Sequence, residues 1–175
     1  MRTTLFALAV TALMAALPLP AAAQNFNAMS SAELLDTVEN THPAAYFALA
    51  AKLYNEGRRE EAAEWLYIGQ IRYRFHLTAN PDLPRSGDPA LFDSLMNNVG
   101  RPINEYIGGD FDEWLATIDD ALAWDEAYPN GFTDKTANAD DLATVRAGLA
   151  SLRENLAGRR SEIESYRRLN GLPIR

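Results

Sequence analysis

The stretch KLYNEGRREEAAEWLYIGQ, residues 52–70, decides the fold. It places one glycine, Gly57, between two segments whose apolar residues recur at helical spacing. Before it, Tyr46, Leu49, Ala50 and Leu53 share one face; after it, Ala62, Trp65, Leu66, Ile68 or Gly69, and Tyr73 do the same. Such recurrence marks an amphipathic helix. A glycine between two of them can take the left-handed conformation that ends the first. Ala62 and Gly69 are small, which lets the two helices approach closely. The stretch therefore predicts one helix from about Pro43 to Gly57 and a second from about Arg58 to Leu77, folded back on each other.

Outward from this hairpin, helix signals continue. Ser30 with Glu33 forms a capping box that opens a short helix to about Glu39, and Thr41-His42-Pro43 stops it. NPDLPRSGD, residues 80–88, is a loop by its proline and glycine content. Asp88-Pro89 reads as an N-cap followed by proline, with the helix ending near Gly100 because Pro102 disfavours helical geometry before it. A short helix leads to Gly108-Gly109, and Asp110 with Glu113 is a second capping box, for a helix to about Tyr128. A loop follows, and Asn138 or Asp140 caps a final helix reaching about Asn170. With no alternating run to suggest a strand, the expectation is an all-α domain of about six helices, ending in a long one.

The chain has 175 residues, no cysteine and a net charge of −8. Its start, MRTTLFALAVTALMAALPLPAAAQ, has a positive end, an apolar run and small residues before Gln24. That is the pattern of a cleaved signal peptide over residues 1–23, leaving a single domain over 24–175 in the periplasm or secreted. The apolar run is too short for a membrane anchor, so no membrane insertion is expected. The acidic balance argues against nucleic acid, whose phosphates need a basic surface, and permits a basic protein partner.

The hairpin resembles the tetratricopeptide repeat and its SEL-like relatives, through Tyr46, Leu49, Ala50, Tyr54, Gly57, Ala62, Trp65, Leu66 and Gly69. A weaker likeness lies over EYIGGDFDEWLATIDDALAWD, residues 105–125, where Trp114 stands in place of a small alanine. Gly57 and Gly109 lie 52 residues apart, too far for adjacent repeats of about 34 residues. The resemblance implies helical-hairpin architecture over about half the mature chain, without a regular solenoid. It also implies a concave, partner-binding face on the first helix, carried by Phe47, Ala51, Tyr54 and Asn55.

Charge is patterned as well. Asp112, Asp119 and Glu126 recur every seven residues, with Glu113 and Asp120 beside them and no lysine or arginine one turn away. Those charges repel each other unless something outside the helix offsets them. On the final helix, Leu142, Leu149, Leu156 and Ile163 form an apolar seam with Val145, Leu152 and Tyr166, interrupted by Arg159. Arg146, Arg153, Arg160 and Arg167 flank that seam at the same interval. Flanking positions are where interhelical charge pairs form. The arginine line is expected to pack near the acidic line; the alternatives are two separately solvated faces, or a homodimer formed through the C-terminal helix.

Nothing in the sequence names a reaction. His42 and His76 are far apart and belong to no ligand-spaced motif. The Asp134–Asp140 loop has oxygen side chains at alternate positions but lacks the glycine and the bidentate glutamate of a calcium loop. No nucleophile elbow or glycine-rich phosphate loop is present, so no catalytic residue, metal or cofactor is assigned. Arg72 and Arg74 read as cations near a helix C-terminus, and Trp124 sits off the main apolar line of its helix. The leading expectation is an exported protein-binding module, an envelope adaptor using the Phe47 face. The alternative is an acidic inhibitor or immunity protein acting through Asp112, Asp119, Asp120, Trp124 and Glu126. A carboxylate-based hydrolase is a further alternative.

Overall fold

Gly57 adopts φ +85° and closes the hairpin as expected. In the computed structural model, which describes residues 25–175, α2 (Ala44–Asn55) ends there and α3 (Arg59–Ala79) begins. The Gly57 N–H donates to Tyr54 O at 3.2 Å and the Arg58 N–H to Leu53 O at 2.9 Å. These are the two bonds of a Schellman cap, which satisfy carbonyls the helix end leaves open. The expected signal peptide lies outside the described residues.

Around this hairpin stand α1 (Ser31–Thr37), α4 (Asp88–Leu95), α5 (Arg101–Ile107), α6 (Phe111–Ala127), α7 (Ala139–Gly158) and α8 (Arg160–Leu169). The described residues contain no strand. None of their helices is long and apolar enough to cross a membrane. The all-α expectation holds. The Ser30–Glu33 capping box is complete, with the Glu33 N–H on Ser30 Oγ at 3.2 Å and the Ser30 N–H on Glu33 Oε2 at 2.7 Å.

The organising element is α3, which packs on α2, α5, α6 and α7. Every residue from Leu66 to Tyr73 is buried, so this helix has no solvent face over two turns. Gly69 marks the closest approach to α2: a Cβ there would lie 2.8 Å from Tyr46 Cβ. Residues placed by periodicity on one face are thus joined by Tyr67, Gln70, Ile71 and Arg72 on the others.

Arg72 corrects its expectation. It is buried rather than solvated at a helix end, and Nε lies 2.9 Å from Oδ1 of Asp125, itself without exposure. Its other nitrogens donate to the carbonyls of Pro129 at 2.9 Å and Tyr128 at 3.0 Å. Arg146 adds a second cation, 2.7 Å from Asp125 Oδ2, and Lys135 stands 3.9 Å from the same oxygen. Trp124 lies against this group, 5.1 Å from the Arg72 guanidinium and stacked on Tyr128.

The acidic and arginine lines meet. Arg146 pairs with Glu126 at 3.1 Å, Arg153 with Asp119 at 2.9 Å and Arg160 with Asp112 at 2.7 Å. Each step of seven toward the C-terminus on the arginine side meets a step of seven toward the N-terminus on the acidic side, an antiparallel register. Arg167 continues the series differently: it is buried and donates to the backbone carbonyls of Glu105 and Pro173.

Three boundaries differ from expectation. Pro102 does not end a helix, because a π turn over Met96–Gly100 carries α4 into α5. The wider turn bonds the Arg101 N–H to Met96 O, five residues back. This relieves the carbonyl that a proline ring would strike in an α-helix. The long final helix is broken at Arg159, which follows Gly158 and leaves helical geometry at φ −117° and ψ 19°. Asp110 caps α6 through the Glu113 N–H at 3.1 Å, but the return bond is absent because the Asp110 N–H already donates to Ile107 O.

Removing the buried carboxylate with Asp125→Ala leaves Arg72 unpaired in the interior. It is expected to cost about 3–5 kcal/mol, read by urea denaturation. For the surface ladder, Arg153→Glu and Asp119→Arg are each expected to lower the urea midpoint, and the double variant to regain part of the loss. Simple additivity of the two losses contradicts the pairing.

Candidate functional site

One face of α2 opens onto a groove shared with α4. Ala44, Phe47, Ala48 and Ala51 form one side, Leu91 and Leu95 the other, and the groove encloses about 520 Å³. Its far end is closed by His42 and Asp88.

Of the four residues assigned to a binding face, the fold brings two here. Ala51 is half-buried on the wall. Phe47 is the floor and is fully buried, its ring 6.0 Å from Tyr73 and 5.9 Å from Phe92. It is a core residue, contrary to its assignment as a free contact. Tyr54 and Asn55 lie beyond the groove, because α5 covers that turn: the Tyr54 ring packs edge-on to Tyr106 at 6.1 Å, and Asn55 is exposed. The acidic set is also changed in character. Asp112, Asp119 and Glu126 are already held by arginines, and the Arg160 hydrogen bond keeps the Asp112 carboxyl below its usual range. Asp120 is exposed; burial, and after it the Asp120 charge, raise the pKa of the neighbouring Glu64. Trp124 is half-buried between Tyr128 and Arg72 and edge-on to Trp65 at 5.3 Å.

At the closed end, three residues remote in sequence converge. His76 comes from the last turn of α3 and bonds Asp88 Oδ2 through Nε2 at 2.9 Å. His42, before α2, brings Nε2 to 3.3 Å from Asp88 Oδ1. Both rings are buried, and Phe132 covers them edge-on at 5.1 Å from each. Asp88 does not cap α4, as the sequence suggested; Gly87 occupies the cap position and the carboxylate turns to the histidines. The only sequence signal was positional: His42-Pro43 and Asp88-Pro89 each stand where a helix begins.

Ligand atoms of these three residues lie within 4.8 Å of one another, close enough for one metal ion. The hydrogen positions implied by the ring partners do not fit one. His42 Nδ1 accepts the Ala44 N–H at 3.2 Å, and the Asn80 amide nitrogen approaches His76 Nδ1 at 3.3 Å while donating to His76 O. Both Nδ1 atoms therefore act as acceptors, which puts the hydrogens on Nε2. A metal at Nε2 needs the reverse. The arrangement instead suits a carboxylate bonded by the His76 Nε2–H, with His42 Nε2 3.3 Å away and without a hydrogen-bond partner of its own.

Burial holds the His42 pKa below its ordinary value despite the opposing pull of Asp88. Asp88 is pushed up by burial, but the His76 and His42 contacts outweigh this and leave it below the usual carboxylate range.

No protein-family model matches the chain, and no solved structure matches it. Over 122 residues it is 31% identical to an uncharacterized protein of Haemophilus influenzae, covering 69% of this chain and 47% of that protein. The chain thus spans about half the length of this relative.

A histidine with a depressed folded pKa stabilises fully above its unfolded value, near 6.5, and less as pH falls toward the folded value. Stability is therefore expected to decline from about pH 6.5 downward, and His42→Gln to flatten that decline in urea titrations at successive pH values. Zinc is expected to leave the melting temperature of the wild type unchanged.

Proposed function

We propose that the chain is an exported binding module that seats an apolar segment of a partner protein in the groove between α2 and α4. The observation that carries this reading is the groove itself, with Ala51, a position the helical-repeat resemblance assigned to a binding face, on its α2 wall above the buried Phe47 floor. The segment is apolar along Ala48, Leu91 and Leu95 and carries a basic side chain at the Asp88 end, in keeping with the net charge of −8. Export rests on the signal-like pattern of the first 23 residues. The inhibitor reading is weaker, because three carboxylates it needs are taken by Arg146, Arg153 and Arg160 within the chain.

Ala48 is half-buried on the groove wall, so Ala48→Arg blocks the groove without entering the core. In pull-downs from the cell envelope that makes the protein, the wild type and Asp119→Arg are expected to retain one partner at high salt, and Ala48→Arg to lose it. Loss with Asp119→Arg and retention with Ala48→Arg would transfer support to the acidic face. Retention of nothing by any of the three overturns the binding reading.

A further inference from the structure

A second concavity lies on the other side of α4, separate from the groove. It runs between α3 and α7, encloses about 620 Å³, and is walled by Ile71, Leu77, Phe92, Val145, Leu149 and Leu152. That volume is within the range of about 300–1,000 Å³ typical of small-molecule sites. Gly148 leaves a gap in the α7 wall: a Cβ there would meet nothing within 4 Å.

Two polar groups on α3 line this cleft one helical turn apart. Gln70 is 7% exposed, and its buried Nε2 has no hydrogen-bond partner. A buried amide without a partner is uncommon and costly; Nε2 has no accessible surface, so an acceptor in the cleft takes its N–H once the side chain turns outward. Arg74 is exposed beside it, 5.0 Å over the Phe92 ring, and pairs with no carboxylate among the described residues. A guanidinium and an amide N–H on one face can both donate to a carboxylate. Asp93 lines the cleft from α4 and disfavours a second negative charge, so a single carboxylate suits the site better than a phosphate monoester.

We propose that the cleft between α3 and α7 binds a monocarboxylate with an unbranched apolar tail, its head on Arg74 and Gln70 and its tail along Val145, Leu149 and Leu152. This site is independent of the α2/α4 groove, with which it shares no lining residue.

Sodium dodecanoate below its micellar concentration is the probe, read by titration calorimetry and by amide shifts in the full domain. One equivalent is expected to bind, with shifts concentrated in α3 and α7. Arg74→Gln is expected to weaken binding by about tenfold. Gly148→Phe, which enters open space in a helix interior, is expected to abolish binding without lowering the melting temperature. Dodecanol and dodecylammonium are expected to bind more weakly than dodecanoate. The proposal is overturned if dodecanoate does not bind, if Gly148→Phe binds it as tightly as the wild type, or if dodecanol or dodecylammonium binds equally well. Ala48→Arg is expected to bind dodecanoate normally, so failure at the groove and failure at the cleft remain distinguishable.

Discussion

Asp125 is a carboxylate with no access to solvent, and the helices around it close only because cations reach it from two sides. Arg72 comes from α3 and Arg146 from α7, so one acid on α6 ties three helices together. Arg72 also takes the Tyr128 and Pro129 carbonyls, just past the end of α6. That fixes the start of the following loop, and the loop delivers Phe132 over His42 and His76. Two Asn130 bonds, to the Phe132 and Thr133 N–H groups, and the Gly131 bond to Glu39 hold it there. The polar interior therefore sets the geometry of the groove's closed end.

Two helices determine what the surface can bind. On α2, small residues keep a wall low enough to leave a groove, while Phe47 beneath fills the space between hairpin and α4. On α4, successive residues face opposite ways: Leu91 and Leu95 line the groove, Phe92 and Asp93 the cleft. The π turn after α4 keeps this divider continuous with α5 through Pro102. Had the proline broken the helix, α4 would lack that connection. The acidic surface, by contrast, is largely an internal fastening: Asp112, Asp119 and Glu126 hold α7 and α8 to α6 in one register.

The histidine pair holds a half-buried carboxylate from its interior side. Asp88 bonds His76 Nε2 and lies 3.3 Å from His42 Nε2, a ring whose charging burial opposes. The Ala44 N–H, an orphan donor of the first turn of α2, is satisfied by the same ring. Protonation of Nδ1 would remove that acceptor, so the acid sensitivity of the site and the start of the groove wall are physically linked.

The sequence by itself determined the hairpin, the complete cap at Ser30, the all-helical class and the seven-residue spacing of the acidic and arginine lines, whose pairing with each other the fold then decided. Each is governed by a rule that acts within a turn or at a fixed spacing: the φ a glycine can take, the reach of a serine to the third N–H, the seven-residue interval of Asp119 and Arg153. The tertiary structure alone decided that Arg72 and Asp125 are buried partners, that Phe47 is floor rather than contact, and that Asp88 meets two histidines. It also decided where the last helix breaks. These depend on where α3, α4, α6 and α7 meet in space, and Arg72 and Asp125, 53 positions apart, carry no local mark of a shared environment. Burial on all sides of α3 from Leu66 to Tyr73 likewise has no period to read, since periodicity reveals one buried face and two turns enclosed by neighbours have none left exposed.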